Sequence, residues 1–512
     1  MFENTSPQNR IRILYTSDVH GKICPYSYAD GSQAMHGFAR LKTLIGSLRD
    51  ENTILLDNGD VLEGSPLTFY HYRNHKDAVC PVTRAMKSIG YDYINIGNHD
   101  FNFGLNALDV HIRGTGAVCL TSNVIVNGTP LSEAYVVREI AGKRIAFFGV
   151  TTQHVPHWEA PENILGVTFP DAFSTAWDTV NLIRKTQAAD YIVCLYHGGL
   201  ECDPETGEET ETLTGENEGY KMLKEIDGLD VLLLGHQHRE YCGTLFDTVY
   251  TQPGADGRFL ACIDIDAGTG AIDARLIPAD AEPDEAILRD VRPTEDAVQK
   301  WLDTPLGRTK VDLRIMDEFD ARLHKSQVAT FLNRVQMDAT GAELSASAIF
   351  LHATGFEEEI TMRQLVATYV FPNTLVVKRV TGKTLREFLE RAARFWDVKN
   401  GELIVSASHD YPTPQHYNYD MVDGIDYTIK AGNPEGERIV ALSKNGITIE
   451  DADVFTMAVN NYRAAGGGEY GMIAEAETVL EIQTSMVDLI ADYIMKHPVI
   501  EFTPVHNIKV IP

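Results

Sequence analysis

An α/β architecture in two parts, a layered α/β domain followed by a separate mixed α/β domain, is what this 512-residue chain predicts. Three observations carry the prediction. The length exceeds what one hydrophobic core usually organises. The first half repeats short apolar runs with helix-like stretches between them. The texture then changes after a segment rich in charge and proline at 281–309.

The runs are IRILYTSD, NTILLDNGD, YINIGNHD, RIAFFGVTT, DYIVCLYHGG and DVLLLGHQH. Each is short and nearly continuous in apolar residues, the pattern of a buried strand. Helical spacing at 38–49 and 172–187 separates some of them, so strands and helices alternate. Each run delivers a His, Asp, Asn or Thr just past its apolar part, where loops of such a fold converge on ligands. The segment 281–309 turns helix-like at 295–302 and reads as a connector, with the boundary near residue 310. The expected division is a first domain at 1–290, a helical linker at 291–320 and a second domain at 321–512. Helical periodicity at 327–340 and 383–395, mixed with short strands, makes the second domain α/β as well. No repeat of fixed period and no low-complexity tract interrupts either half, which excludes solenoid and disordered readings.

Composition narrows the function. Lys and Arg total 44 against 73 Asp and Glu, a formal charge of −29, so a nucleic-acid polymer or an anionic membrane would be repelled. A small phosphorylated substrate remains compatible, because bound cations reverse the local field. No window is long and apolar enough to span a bilayer, and the first twenty residues show no signal-peptide pattern. Seven scattered cysteines without CxxC pairs predict no disulfide framework. A soluble, cytoplasmic protein is the expectation, or an exported one if a leader has been trimmed; nothing in the sequence fixes the oligomeric state.

The chemistry lies at the run ends. Asp18 and His20 follow the first, Asp60 the second, and Asn98, His99 and Asp100 the third. His197 closes the fifth; His236 and His238 close the sixth. One Asp at a strand end is usually a cap or turn former. Five of six runs ending in Asp, Asn or His is a metal-site inventory. Oxygen and nitrogen donors without clustered Cys suit Mn, Zn, Fe or Mg. So many donors imply two divalent ions, which a carboxylate can bridge at roughly 3.5–4 Å to clamp the attacking and leaving oxygens of displacement at phosphorus. Asp60, central in the series, is the natural bridge.

The segments DVH, GDVLEG, GNHD, HGG and GHQH, in that order, resemble the calcineurin-like metallophosphoesterase superfamily. The order of domains, with VNNYR at 459–463 and the glycines 466–468, resembles the 5'-nucleotidase family over nearly the whole chain. The resemblance implies a four-layer α/β/β/α first domain and a substrate-binding second domain. It implies that Asp18, His20, Asp60 and His238 hold one ion, and Asp60, Asn98, His197 and His236 the other. His99 is then not a ligand but stands beside the phosphate, stabilising the transition state or protonating the leaving oxygen, with Asn98 and Asp100 grouped with it as catalytic.

Three positions after this histidine the 5'-nucleotidase branch has an orienting Asp, whereas this sequence has Asn102. That departure leaves His99 to find another partner. The strings GNHDFNFGL at 97–105, DNGDVLEGSPL at 57–67, TTQHVPHWE at 151–159 and NNYRAAGGG at 460–468 are similar to the branch that hydrolyses 2',3'-cyclic nucleotides and 3'-nucleotides. The Gly-rich turn with a phosphate-gripping Arg is also absent, LSASAIF standing near its place at 344–350. By the same resemblance, Tyr419 and Tyr470 stack the base, a contact of about 1–3 kcal/mol, and Asn418 and Arg463 are lesser candidates for edge or ribose contacts. The expected function is hydrolysis of 2',3'-cyclic nucleotides and 3'-nucleotides to nucleoside and phosphate. A 5'-nucleotidase or nucleotide-sugar hydrolase is the alternative, and a catalytically silent nucleotide-binding protein is the alternative of another class.

Overall fold

All six apolar runs form strands, three in each of two six-stranded sheets. The structure is a computed structural model, and it describes residues 9–76, 78–210, 213–371, 373–411, 414–482 and 484–512. The opening residues 1–8, part of the N-terminal reading above, lie outside the described residues.

The first sheet runs in the order Ile272–Pro278, Phe259–Asp266, Arg10–Thr16, Thr53–Asp57, Tyr93–Ile94, Val118–Cys119. Its last four strands are mutually parallel. The second runs Glu240–Leu245, Thr248–Pro253, Val231–Leu234, Tyr191–His197, Lys143–Thr151, Val136–Ile140, with its four middle strands parallel. Alternation assigns each residue a face. Ile11, Ile13 and Tyr15 of the first sheet share one core with Phe147, Val193, Leu195 and Leu233 of the second, so the sheets stack face to face. On the far side of the second sheet, Phe148, Ile192, Cys194 and Leu232 pack with Ala176, Val180 and Ile183 of the helix Ala172–Thr186. The helices Phe38–Leu48, Pro81–Ile89 and Gly104–Thr115 supply the outer layer of the first sheet, giving α/β/β/α.

Each inner strand is continuous in buried residues because both its faces are covered. Polar positions within them are paired. Arg12 donates from Nε and Nη2 to the two oxygens of Asp264 at 2.8 and 3.0 Å.

The helix Glu285–Leu302 starts ten residues before the stretch that reads as helical in the sequence, and it carries Pro293 inside. An interior proline costs about 3 kcal/mol. Ile287, Val291 and Val298, all buried, form an apolar stripe that outweighs it. The chain divides into two compact units, 1–298 and 299–512, so the division falls within this helix.

The second unit centres on a five-stranded sheet, ordered Asp420–Asp423, Leu344–Ala348, Val454–Asn460, Leu375–Thr381, Glu477–Ile482. The helices Gln327–Thr340 and Gly382–Ala393 match the two periodic stretches. No helix among the described residues is long and apolar enough to cross a membrane. All seven cysteines are free thiols.

Candidate active site

Parallel strands end on one edge, and stacking two such sheets brings two edges together. Thus Asp18, Asp60 and Asn98 arrive from the first sheet, and His197, His236 and His238 from the second. Asp18, His20, Asp60, His236 and His238 all adopt positive φ, from 50° to 70°. Such backbone costs about 1–3 kcal/mol per residue and persists where the surroundings over-determine it. Close approach supplies that constraint. A Cβ on Gly97 would overlap Asp60 Oδ1 and the His197 ring, and one on Gly235 would overlap Ser17 and Asp18. Gly97→Ala is therefore expected to lower activity by about 100-fold or more through displacement of Asp60, by the sensitivity of reacting geometry to about 1 Å, as read from phosphate release by the purified variant.

Two donor groups result. Asp18, His20 and His238 form the first, and Asp60, His197 and His236 the second; within each, the donor atoms lie within 4.8 Å of one another. His20 Nδ1 meets the Glu63 carbonyl at 3.0 Å and His197 Nδ1 meets the Asn58 carbonyl at 2.7 Å. A carbonyl only accepts, so both rings carry a proton on Nδ1 and turn Nε2 inward, the nitrogen an ion would take. His236 is reversed: Nε2 faces Glu216 Oε1 at 3.1 Å, and Nδ1 lies 2.9 Å from Asn98 Oδ1. His20, His197 and His236 are thus oriented from behind, as ligating histidines are.

The inner atoms fit cations. His20 Nε2 and His238 Nε2 point at each other across 2.9 Å. Asp60 Oδ2 is buried without a hydrogen-bond partner, 3.2 Å from His197 Nε2. Asn98 Oδ1 lies 3.2 Å from the same nitrogen, and Asp18 Oδ1 lies 4.0 Å from it, joining the two groups. Burial opposes the charge on Asp60, yet His197, His99 and His20 hold it well below the usual carboxylate range. Burial likewise opposes charge on His197, but Asp60 carries it up to about 10. The negative centre draws positive charge, which divalent ions would supply.

Beneath these donors lies a buried amide network. Asn58 Nδ2 donates to Tyr15 Oη at 2.9 Å and to the Tyr196 carbonyl at 3.0 Å, joining the two sheets, and Asn95 Nδ2 donates to Asn58 Oδ1 at 2.9 Å.

His99 stands beside the donors with its side chain 27% exposed. Its Nδ1 lies 2.8 Å from Asn102 Oδ1 and 3.4 Å from Glu63 Oε2. This corrects the expectation of an orienting partner elsewhere. Asn102 itself fills that place, because its amide oxygen accepts as a carboxylate would. Burial pushes the His99 pKa down, but Asp60, Glu63, Asn102 and Glu159 carry it up to about 9.

Asp100, grouped with the catalytic residues from sequence, is an anchor instead. It is fully buried, and its oxygens accept from the backbone N–H groups of Gly97, Asp60, Val61 and Leu62 at 2.9–3.1 Å. Four donors leave it no lone pair free for a substrate. Asp100→Asn turns an amide N–H toward one of them and is expected to cost about 3 kcal/mol, an unsatisfied buried donor plus a lost charge-assisted bond. A denaturant melt of the variant checks this.

In the second unit the four residues expected at the substrate come together, but inside the core. Tyr419 and Tyr470 are both fully buried. Tyr419 stacks on Phe395 with centroids 4.9 Å apart, and Tyr470 Oη donates to the Asn418 carbonyl at 2.9 Å. Arg463 pairs with Asp420 at 2.7 Å and lies over the Tyr470 ring. The expected open slot between Tyr419 and Tyr470 is therefore corrected, since neither ring offers a free face. The sequence showed two aromatic loops but not which rings they turn inward. Tyr417 and Tyr462, on the same loops, are the half-buried ones. Arg463→Ala leaves Asp420 a buried unpaired charge, and a stability loss of about 3–5 kcal/mol is expected in chemical denaturation.

Sequence reasoning assigned no role to Glu63, Trp158, Glu159 and Glu216. Three of them lie in or beside strings already quoted for their resemblance, Glu63 in GDVLEG and Trp158 and Glu159 in TTQHVPHWE. Trp158 stacks on the His236 ring at 5.2 Å between centroids and 26° between planes.

Comparison with known proteins agrees with this geometry. The family model for the calcineurin-like phosphoesterase matches residues 11–240, and that for the 5'-nucleotidase C-terminal domain matches residues 305–475. A proposed 5'-nucleotidase from Staphylococcus aureus, solved in complex with alpha-ketoglutarate, is 33% identical, with 98% of this chain and 99% of that one covered and a TM-score of 0.92. A 2',3'-cyclic-nucleotide 2'-phosphodiesterase/3'-nucleotidase from Salmonella typhimurium is 28% identical over 534 residues, covering 89% of this chain and 81% of that protein. The trifunctional nucleotide phosphoesterase protein YfkN of Bacillus subtilis is 24% identical over 587 residues; all of this chain is covered, but it spans only 39% of that protein's length. With both parts matched and one relative similar end to end, the chain belongs to the 5'-nucleotidase family of calcineurin-like metallophosphoesterases, hydrolases of phosphoric esters.

Proposed function

We propose that this chain hydrolyses 2',3'-cyclic nucleotides to 3'-nucleotides and then to nucleoside and phosphate. The observation that carries the proposal is Asn102 Oδ1, in place of a carboxylate, 2.8 Å from His99 Nδ1, within the string GNHDFNFGL that resembles the cyclic-nucleotide branch. The relative from Salmonella typhimurium supports it. In the first step water adds to phosphorus and the bond to O2' breaks; in the second, the bond to O3' breaks. Each departing ribose oxygen needs a proton.

We assign Asp18, His20, Asp60 and His238 to one divalent ion and Asp60, Asn98, His197 and His236 to the other, with Mn, Zn, Fe and Mg all compatible with the donors. Such ions, when bound, supply Lewis-acid polarisation of the phosphoryl group and lower the pKa of the attacking water. His99 Nε2, the ring nitrogen turned away from Asn102, delivers the proton to the leaving oxygen. Asp100 keeps the turns bearing Asp60 and His99 in register.

A 5'-nucleotidase is the second reading, favoured by the relative from Staphylococcus aureus. Phosphate release and product identity from 2',3'-cyclic AMP, 3'-AMP and 5'-AMP, with Mn added, separate the two. Turnover of the first two but not the third is the expected result. A preference for 5'-AMP replaces the proposal with the second reading.

A further inference from the structure

We propose that Glu159 is a positioning residue for His99, acting through the Asn102 side chain, and that residues 102 and 159 form a matched amide–carboxylate pair. The inference rests on the assignment of His99 as proton donor. Asn102 Nδ2 donates to Glu159 Oε2 at 2.7 Å. The other oxygen, Oε1, accepts from the Ala160 N–H and from Asn163 Nδ2, both at 2.8 Å. Asn163 Nδ2 also reaches the Asn102 carbonyl at 2.9 Å. Glu159 is buried, and every oxygen it has is engaged.

A carboxylate accepts and cannot donate. It therefore fixes which end of the Asn102 amide faces which way: nitrogen toward Glu159, oxygen toward His99 Nδ1. An amide oxygen has no proton to give, so Nδ1–H donates to it, and the ring turns Nε2, which carries the proton to be transferred, toward the leaving oxygen. Without an acceptor-only group at 159, the Asn102 amide is free to turn over and set its own N–H against the Nδ1–H, which loses the bond that orients the ring. Glu63 Oε2 at 3.4 Å is the other acceptor near Nδ1, and it is farther away than Asn102.

The loop that holds Glu159 is anchored. Val155 is fully buried and accepts from the Glu159 N–H at 3.0 Å, and the preceding Trp158 stacks on His236. One segment thus braces a candidate ligand and, through Asn102, the candidate proton donor.

The pairing has a consequence a packing role lacks. A carboxylate at 102 would face the Glu159 carboxylate at hydrogen-bond distance, and two such groups cannot both ionise. Asn102→Asp should therefore be harmful here, and neutralising Glu159 should relieve it: in N102D/E159Q the donor and acceptor ends are exchanged and the contact to His99 Nδ1 is restored.

The test measures kcat and KM for wild type, N102D, E159Q, N102D/E159Q and H99A, on p-nitrophenyl phosphate and on whichever of 3'-AMP and 5'-AMP is the better substrate. Metal content is measured alongside. The nucleotides leave as alkoxides and need a proton; p-nitrophenolate leaves without one. We expect E159Q to lower kcat on the nucleotide about tenfold and N102D about 100-fold, both within the range of general acid catalysis, with KM and metal content little changed. The double variant should return to within about tenfold of wild type, and for N102D, E159Q and the double variant the losses on p-nitrophenyl phosphate should be smaller than on the nucleotide. Multiplying losses in the double variant, equal losses on both substrates, or an E159Q kcat equal to wild type would overturn the proposal. If H99A loses activity on the nucleotide while the pair behaves additively, only the Glu159 relay falls. If H99A keeps its nucleotide activity, the assignment of His99 falls with it.

Discussion

Asp60→Asn is expected to leave the fold intact, strip both divalent ions and lower kcat/KM by about 1,000-fold, which corresponds to the several kcal/mol that metal polarisation contributes. The amide keeps an oxygen for the His99 N–H, which Asp60 Oδ1 accepts at 2.7 Å, so the turn that carries His99 retains its bond. What disappears is the charge and the free Oδ2, the buried oxygen with no hydrogen-bond partner, facing His197 at 3.2 Å. Loss of metal with a denaturation midpoint equal to that of metal-stripped wild type separates ligand loss from unfolding. Retention of both ions would move the bridging role to Asp18, whose Oδ1 lies 4.0 Å from His197 Nε2.

His99→Ala is expected to lower kcat on nucleotides by about 100- to 10,000-fold, the range of a positioned general acid, with metal content unchanged. The ring is not in either donor group, and its Nδ1 is engaged by Asn102. Removing it leaves Asn102 bonded to Glu159, so the loop behind keeps its structure. The loss should appear in kcat more than in KM, because a proton delivered to the leaving oxygen acts only in the transition state. Steady-state kinetics on 3'-AMP, with metal analysis of the same preparation, reads both quantities.

Much of the first unit was legible because both its sheets are buried on two faces. That condition writes strands such as Thr53–Asp57 and Val231–Leu234 as unbroken apolar runs, and it leaves their polar ends conspicuous. What the sequence hid was the role of groups bonded out of view. Asp100 looks like a catalytic carboxylate beside His99, but four backbone donors, three of them 38–40 positions away, consume it. Glu159 looks like a surface residue and is 57 positions from the amide it fixes. In the second unit, Tyr419 and Tyr470 have the composition of a base slot, and only tertiary packing shows that their neighbours Tyr417 and Tyr462 are the more open rings. The helix Glu285–Leu302 begins earlier than its sequence suggests, because its apolar stripe outweighs the cost of Pro293.

Metal content of the chain after chelation and stepwise addition of Mn, measured together with phosphate release from 2',3'-cyclic AMP, tests the dinuclear site most directly. Two ions per chain, with no activity in the stripped protein and recovery as the pair of sites fills, is the result the proposed two-ion assignment predicts. Full activity in metal-free protein, or activity complete with a single ion per chain, would contradict it.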